Sequence, residues 1–150
     1  MNSQSCVNKG NGEGNGVYLN RNFESFWKPR TEKCGKQYGG ETPFSEPETR
    51  AVKDYINRIK DSSLRAAIDV HSYSEVFRIP DKIASPAKKE NLIRIGNEMA
   101  KAIKEVDKTA DYSTATVRDF FGPDSCKPYA GPVIGGAEGN SMDWFFHGAG

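Results

Sequence analysis

The sequence predicts an α/β sandwich, and three observations predict it. A capped amphipathic helix starts at Ser45, an apolar strand runs from Ala66 to His71, and a second long amphipathic helix covers Lys88 to Val106. Helices that alternate with strands bury their apolar stripes on a sheet, and neither an all-β nor an all-α chain shows that alternation.

The first helix is marked by Ser45-Glu46-Pro47-Glu48. This sets a Ser N-cap, a Pro just inside the helix and a Glu at the third helical position, the capping-box arrangement. Val52, Tyr55, Ile56 and Ile59 follow at helical spacing and predict the face that packs on the sheet. In the strand, Ile68 and Val70 point to one face and Ala67, Asp69 and His71 to the other, because strand side chains alternate. His71 then stands at the strand's C-terminal end, where open α/β sheets place their ligand crevices. Such a histidine serves as a metal ligand or acid–base group, or is a surface or core histidine held by a hydrogen bond.

Residues 73–83 are rich in proline and charge and are predicted as a loop at the crevice rim. The second helix carries Leu92, Ile95, Met99, Ile103 and Val106 on one side, with Met99 as packing. Ser113 to Arg118 predicts a further strand, and Phe121 to Gly139 a loop heavy in Gly and Pro. Ser141 is the expected N-cap of a third helix, with Asp143 in its first turn and Trp144, Phe145 and Phe146 as apolar content. Residues 1–15 hold almost nothing apolar and read as a loop or disordered segment.

The chain has 150 residues, the commonest size for one domain or part of one. Its 21 basic and 20 acidic side chains leave a net charge of +1, no electrostatic footprint for nucleic acid or an anionic membrane. No apolar run approaches the length that spans a bilayer, and the polar start is no signal peptide. Cys6, Cys34 and Cys126 lack the spacing and histidine company of a zinc finger. One disulfide with one free thiol fits a secreted protein, and three buried thiols a cytosolic one; the count does not choose between them.

Gly16 to Phe23 reads as a short extended segment whose polar end projects Asn20 and Arg21 together. An arginine beside an amide donor suits a carboxylate, since guanidinium offers a planar fork and the amide adds a neutral hydrogen bond. The alternative is a solvated turn after a strand.

Taken in order, GVYLNRNF, PFSEPETRAVKDYI, AIDVHSYSE and EGNSMDW resemble the zinc carboxypeptidases of the carboxypeptidase A type. The resemblance runs from Gly16 to His147 and implies that residues 16–150 are part of a peptidase M14-type catalytic domain, an α/β/α sandwich with a mixed central sheet. It implies zinc as cofactor, with His71 as the third metal ligand. Asn20 and Arg21 match the pair that grips the substrate's C-terminal carboxylate. Ser72 and Tyr73 match residues lining the cleft, where the family often has a non-proline cis peptide, and Met142 falls at the floor of the pocket for the terminal side chain. An apolar floor prefers aromatic or aliphatic termini, whereas the adjacent Asp143, placed there by a one-residue shift, would prefer Lys or Arg. Tyr129 matches the family's mobile tyrosine when the loop is counted forward from Phe121, and Gly135 falls there when it is counted back from Met142.

The resemblance also implies departures. The family's other two zinc ligands, a histidine and a glutamate, are expected upstream of Met1, together with an arginine that polarises the scissile carbonyl. The general-base glutamate is expected downstream of Gly150. Tyr18 stands where the family has an acidic residue that orients a ligand. The expected activity is thus that of a metallocarboxypeptidase fragment acting on peptide C-termini, inactive by itself. The competing expectation is a non-catalytic module that binds C-terminal carboxylates, and a third is a chain that does not fold stably alone. By resemblance the protein is secreted, with Cys6 and Cys34 paired and Cys126 free.

Overall fold

The computed structural model describes residues 16–29, 38–61, 64–72, 74–80, 82–116 and 138–148. The chain divides into two compact units, one from residues 1–69 and 137–150, the other from residues 70–136.

The first unit is organised around a buried amide. Residues 19–21 form a single 3₁₀ turn rather than the extended segment expected, with the Tyr18 carbonyl accepting the Arg21 N–H at 2.8 Å and the Leu19 carbonyl accepting that of Asn22 at 2.9 Å. The next side chain, Asn22, is completely buried. Its Nδ2 donates to the carbonyls of Gly39 (2.7 Å) and Thr42 (3.0 Å) and to Ser45 Oγ (2.9 Å). Its Oδ1 accepts the Thr49 hydroxyl at 2.6 Å and the Glu46 N–H at 3.3 Å. An amide buried without partners would cost several kcal/mol, roughly 1–3 per unmet group, so these bonds are a condition of the fold.

Helix α1, Pro47–Ile59, has its N-cap at Glu46, one residue later than the sequence suggests. The reason is tertiary: Asn22 satisfies the Glu46 N–H, while the Ser45 hydroxyl turns to Asn22 and donates to Glu46 Oε1 at 2.7 Å. The same amide decides the buried face. Thr49 and Ile56 are buried and Ile59 is half-buried, while Val52 and Tyr55, expected to pack, are exposed. Ile56 joins Phe23, Phe44 and Trp144 in the core, with Ile59, Leu64 and Phe145 packed against it. The three aromatic rings contact one another at centroid distances of 5.7 Å (Phe23–Phe44), 5.6 Å (Phe23–Trp144) and 5.5 Å (Phe44–Trp144).

Trp144 reaches this core from helix α3, Ser141–His147. Its N-cap is Asn140 rather than Ser141, because Asn140 Oδ1 accepts the Asp143 N–H at 2.7 Å while Asn140 Nδ2 donates to Asp143 Oδ2 at 2.7 Å. The preceding Gly139 (φ +73°) is held between the carbonyl of Ser25, which accepts its N–H at 3.1 Å, and the N–H of Phe23, which it accepts at 2.9 Å. A Cβ there would lie 2.5 Å from the Arg21 carbonyl oxygen, so only glycine fits.

The strand expected at 66–71 is not found in a sheet among the described residues. Ile68 is 70% exposed and Val70 86%, so the apolar alternation read as burial is on the surface. Period-two patterning marks which side chains share a face, but burial needs a second layer or neighbouring strands to cover that face.

The second unit is a β–α–β arrangement. Strand β1, Val76–Ile79, lies inside the segment expected to be loop; it is only four residues long and ends at Pro80, which hid it. It pairs in parallel with β2, Ser113–Thr116, in the register Val76 to Ser113 through Ile79 to Thr116. Between them runs the long helix α2, Pro86–Val106, whose N-cap Ser85 accepts the Lys88 N–H at 3.4 Å. A parallel pair needs such a crossover, and α2 packs on both strands.

The packing face of α2 differs from the stripe of large apolar residues. Ile95, Met99 and Val106 are exposed, whereas Gly96 is buried and Leu92, Ala100 and Ile103 are half-buried. Gly96 permits this approach: a Cβ there would lie 2.5 Å from Thr114 Oγ1. At the C-terminus, Asp107 Oδ1 accepts the Thr109 N–H (2.9 Å) and hydroxyl (2.6 Å), and Lys104 Nζ donates to the Ala110 carbonyl at 2.6 Å, turning the chain into β2. Among the described residues no helix is long and apolar enough to cross a membrane.

Candidate functional site

The candidate site lies in the first unit, where the 3₁₀ turn meets the N-terminus of α3. Asn20 joins the two. Its Oδ1 accepts the backbone N–H of Ser141 at 2.7 Å, and its Nδ2 donates to Asp69 Oδ2 at 2.9 Å. The Ser141 hydroxyl donates to the same Asp69 oxygen. Asn20, Asp69 and Ser141 therefore form a closed hydrogen-bonded ring that ties three distant stretches of sequence together.

Arg21 follows on the turn. Its guanidinium carbon sits 5.0 Å from the centre of the Tyr18 ring, and Nη1 donates to the Asn20 carbonyl. Stacking and a backbone bond restrict a long side chain whose freedom would otherwise oppose binding. A half-buried, restrained guanidinium beside an amide is a planar cationic fork for an anionic group.

Met142 occupies the first turn of α3 and is half-buried. Its neighbour Asp143 is 7% exposed, and its carboxylate accepts from Asn140 inside the cap. Asp143 is thus used to start the helix, and Met142 is the neighbour left at the surface of that turn.

His71 and Ser72 belong to the second unit, and both are exposed. Tyr73, Tyr129, Cys6, Cys34 and Cys126 lie outside the described residues, as does the peptide bond expected to be cis; among the described residues no cis bond occurs. The structure brings Asn20, Arg21 and the Met142 helix together. Sequence reasoning missed Asp69, Ser141 and Asn140 as parts of that arrangement. Asp69 had been placed on the His71 face of a strand, and nothing local in the sequence pairs it with Asn20.

A catalytic zinc centre is the site that the resemblance to zinc carboxypeptidases implies. Such a site needs three protein ligands with an open position. Among the described residues no group of three or more His, Cys, Asp or Glu gathers. The second histidine, His147, packs edge-on against Phe26 and Phe146 with centroids at 5.0 Å and 4.8 Å. The described donor set does not fit a complete zinc centre.

Comparison with known proteins decides the family. The zinc carboxypeptidase profile, peptidase M14, matches residues 2–150. The chain belongs to the zinc carboxypeptidase family. It is 30% identical over 138 residues to the inactive metallocarboxypeptidase ECM14 of Saccharomyces cerevisiae, covering 88% of this chain and 30% of the yeast protein. It is 32% identical over 136 residues to mast cell carboxypeptidase A of Mus musculus, covering 87% of this chain and 29% of that protein. Among solved structures, bovine thrombin-activatable fibrinolysis inhibitor in complex with tick carboxypeptidase inhibitor superposes with a TM-score of 0.70 at 26% identity, over 93% of this chain and 44% of that one. The α/β zinc carboxypeptidase fold is therefore shared, and the chain spans about a third of the length of the curated relatives it matches.

Proposed function

We propose that this chain is the carboxylate-recognition part of a metallocarboxypeptidase domain, in which zinc-dependent hydrolysis releases the C-terminal amino acid of a peptide. The observation that carries this reading is the restrained Arg21 on a turn that Asn20 fastens to α3. In that role Arg21 and Asn20 hold the terminal carboxylate, Met142 floors the pocket for the last side chain with an apolar or aromatic preference, and Ser72 and Tyr73 line the cleft. The engagement of Asp143 in the helix cap supports Met142 over Asp143 as the floor. His71 is proposed as one zinc ligand and Tyr129 as the mobile tyrosine. Residues 16–150 belong to the catalytic domain. The partners are peptide or protein C-termini rather than nucleic acid or membrane, and the protein is extracellular, with Cys6 bonded to Cys34.

Zinc, when bound, polarises a carbonyl and activates water. The 150-residue chain by itself is proposed to be inactive, since its described residues gather no three-ligand set. What this chain contributes is binding and orientation: the guanidinium fork sets the position of the terminal carboxylate and, through it, of the last peptide bond.

A second reading is favoured by the similarity to an inactive metallocarboxypeptidase. In it the same clamp serves a module that binds C-terminal carboxylates without hydrolysing them.

Calorimetry and a binding assay test the clamp on which both readings rest, and the inactivity proposed for the chain by itself. A fluorescent peptide ending in a free phenylalanine carboxylate is expected to bind, its carboxamide twin is expected to bind no more tightly, and Arg21→Ala is expected to abolish carboxylate binding. Unchanged affinity in Arg21→Ala sinks the clamp. Tight stoichiometric zinc, or measurable release of phenylalanine, shows the assignment of inactivity to be wrong.

A further inference from the structure

The amide of Asn20 is the neutral donor that the proposed clamp offers a substrate, and it already holds a carboxylate of this chain. Asp69 Oδ2 accepts Asn20 Nδ2 at 2.9 Å and the Ser141 hydroxyl as well. The other end of the amide is committed, since Asn20 Oδ1 accepts the Ser141 N–H at 2.7 Å. An ionised aspartate has the same two acceptor oxygens on a planar carbon as a peptide's C-terminus, and neither group can donate. Asn20 Nδ2 carries two hydrogens, so a second carboxylate can share it with Asp69, but the two negative charges repel when both approach the same amide.

We infer that Asp69 is a built-in electrostatic competitor for the carboxylate clamp, holding a negative charge against the amide that an incoming C-terminal carboxylate must share. This rests on the carboxypeptidase-like role proposed for Asn20 and Arg21. Asp69 is exposed, so water replaces its hydrogen bonds at modest cost and a ligand can displace it. It does not block the clamp outright; it weakens binding and discriminates among termini. A peptide ending in a carboxylate meets the Asp69 charge at the amide it must share. A peptide ending in a carboxamide is neutral, can donate an N–H to Asp69, and loses less. Ser141 makes the competitor more effective, because its hydroxyl donates to the same Asp69 oxygen that accepts Asn20 and so holds Asp69 in place.

The test uses the 150-residue chain, Asp69→Asn, Asp69→Ala and the same three with Arg21→Ala, titrated by fluorescence anisotropy with the phenylalanine-ended peptide and its carboxamide. Both Asp69 variants are expected to bind the carboxylate peptide about tenfold more tightly, the scale of one charge-assisted hydrogen bond, with carboxamide affinity changed by less than about twofold. Arg21→Ala removes the gain. Equal carboxylate affinity in all three Arg21 backgrounds, abolished in each by Arg21→Ala, overturns the competitor and leaves the clamp standing. Binding that ignores Arg21, or no binding in any background, overturns the clamp and the competitor with it. Asp69→Asn keeps the side chain's shape, so the result does not depend on the alanine variant folding.

Discussion

The Oδ1 of Asn20 accepts the backbone N–H of Ser141 at 2.7 Å across 121 residues of sequence. That bond fastens the Arg21 turn to the helix that carries Met142 and Trp144, so a candidate recognition residue and the aromatic core share one support. Asn20→Ala removes this bond and the one to Asp69, and is expected to lower the stability of the chain by about 1–2 kcal/mol. Urea denaturation followed by tryptophan fluorescence measures it; an unchanged midpoint would show that the bond carries no structural weight.

Asn22 is the more severe site. Its side chain is completely buried with five hydrogen bonds, and Asn22→Ala leaves the Gly39 and Thr42 carbonyls and the Glu46 N–H without that partner. The expected loss is about 3 kcal/mol or more, enough to unfold a marginal domain. Asn22→Asp is expected to be little better, because a carboxylate cannot donate to the two carbonyls. Circular dichroism of the purified variants decides it, and native-like melting of Asn22→Ala contradicts the role given to this amide.

Met142 and Asp143 separate two specificities. Met142→Asp is expected to shift binding preference from phenylalanine-ended to lysine-ended peptides by about tenfold, by replacing an apolar floor with a charge. Asp143→Asn is expected to leave the preference as it is and to weaken the start of α3 by about 0.5–1 kcal/mol, since Asp143 is bonded within the cap. A preference that moves with Asp143 and not with Met142 would place the floor at Asp143 instead.

The Asp107 carboxyl is held below the usual aspartate range, first by the Thr109 hydroxyl and next by the Thr109 and Ala110 backbone N–H groups and the nearby Lys104 charge. A carboxyl depressed in the folded state adds stability that is present above its unfolded pKa and is lost as pH falls through the folded value. Carboxyl-detected NMR titration should therefore find Asp107 still ionised where ordinary aspartates are half-protonated. Thr109→Ala should raise its midpoint, and an unmoved midpoint refutes the assignment of cause.

Local signals carried several elements. The Pro at the start of α1, the periodicity of 86–106 and the capped aromatic helix after Gly139 are legible because each depends on residues within a few positions. The adjacency of Asn20 and Arg21, on which the proposed carboxylate clamp rests, is local in the same way. The four ordered motifs carried the family, which the match over residues 2–150 bears out.

What sequence alone determined is therefore the α/β class, the positions of the helices, and the family. Tertiary structure decided which faces of those helices are buried, where β1 lies, and which groups surround Asn20. Gly96 and Ala100, together with the half-buried Leu92 and Ile103 and not the exposed Ile95 and Met99, form the packing face of α2, because close approach at Gly96 depends on missing volume rather than on hydrophobicity. Asp69 looked like one face of a strand and is instead bonded to Asn20 and Ser141. Hydrogen bonds between residues 49 and 72 positions apart leave no periodic trace in a sequence, since only the folded chain brings their donors and acceptors within about 3 Å.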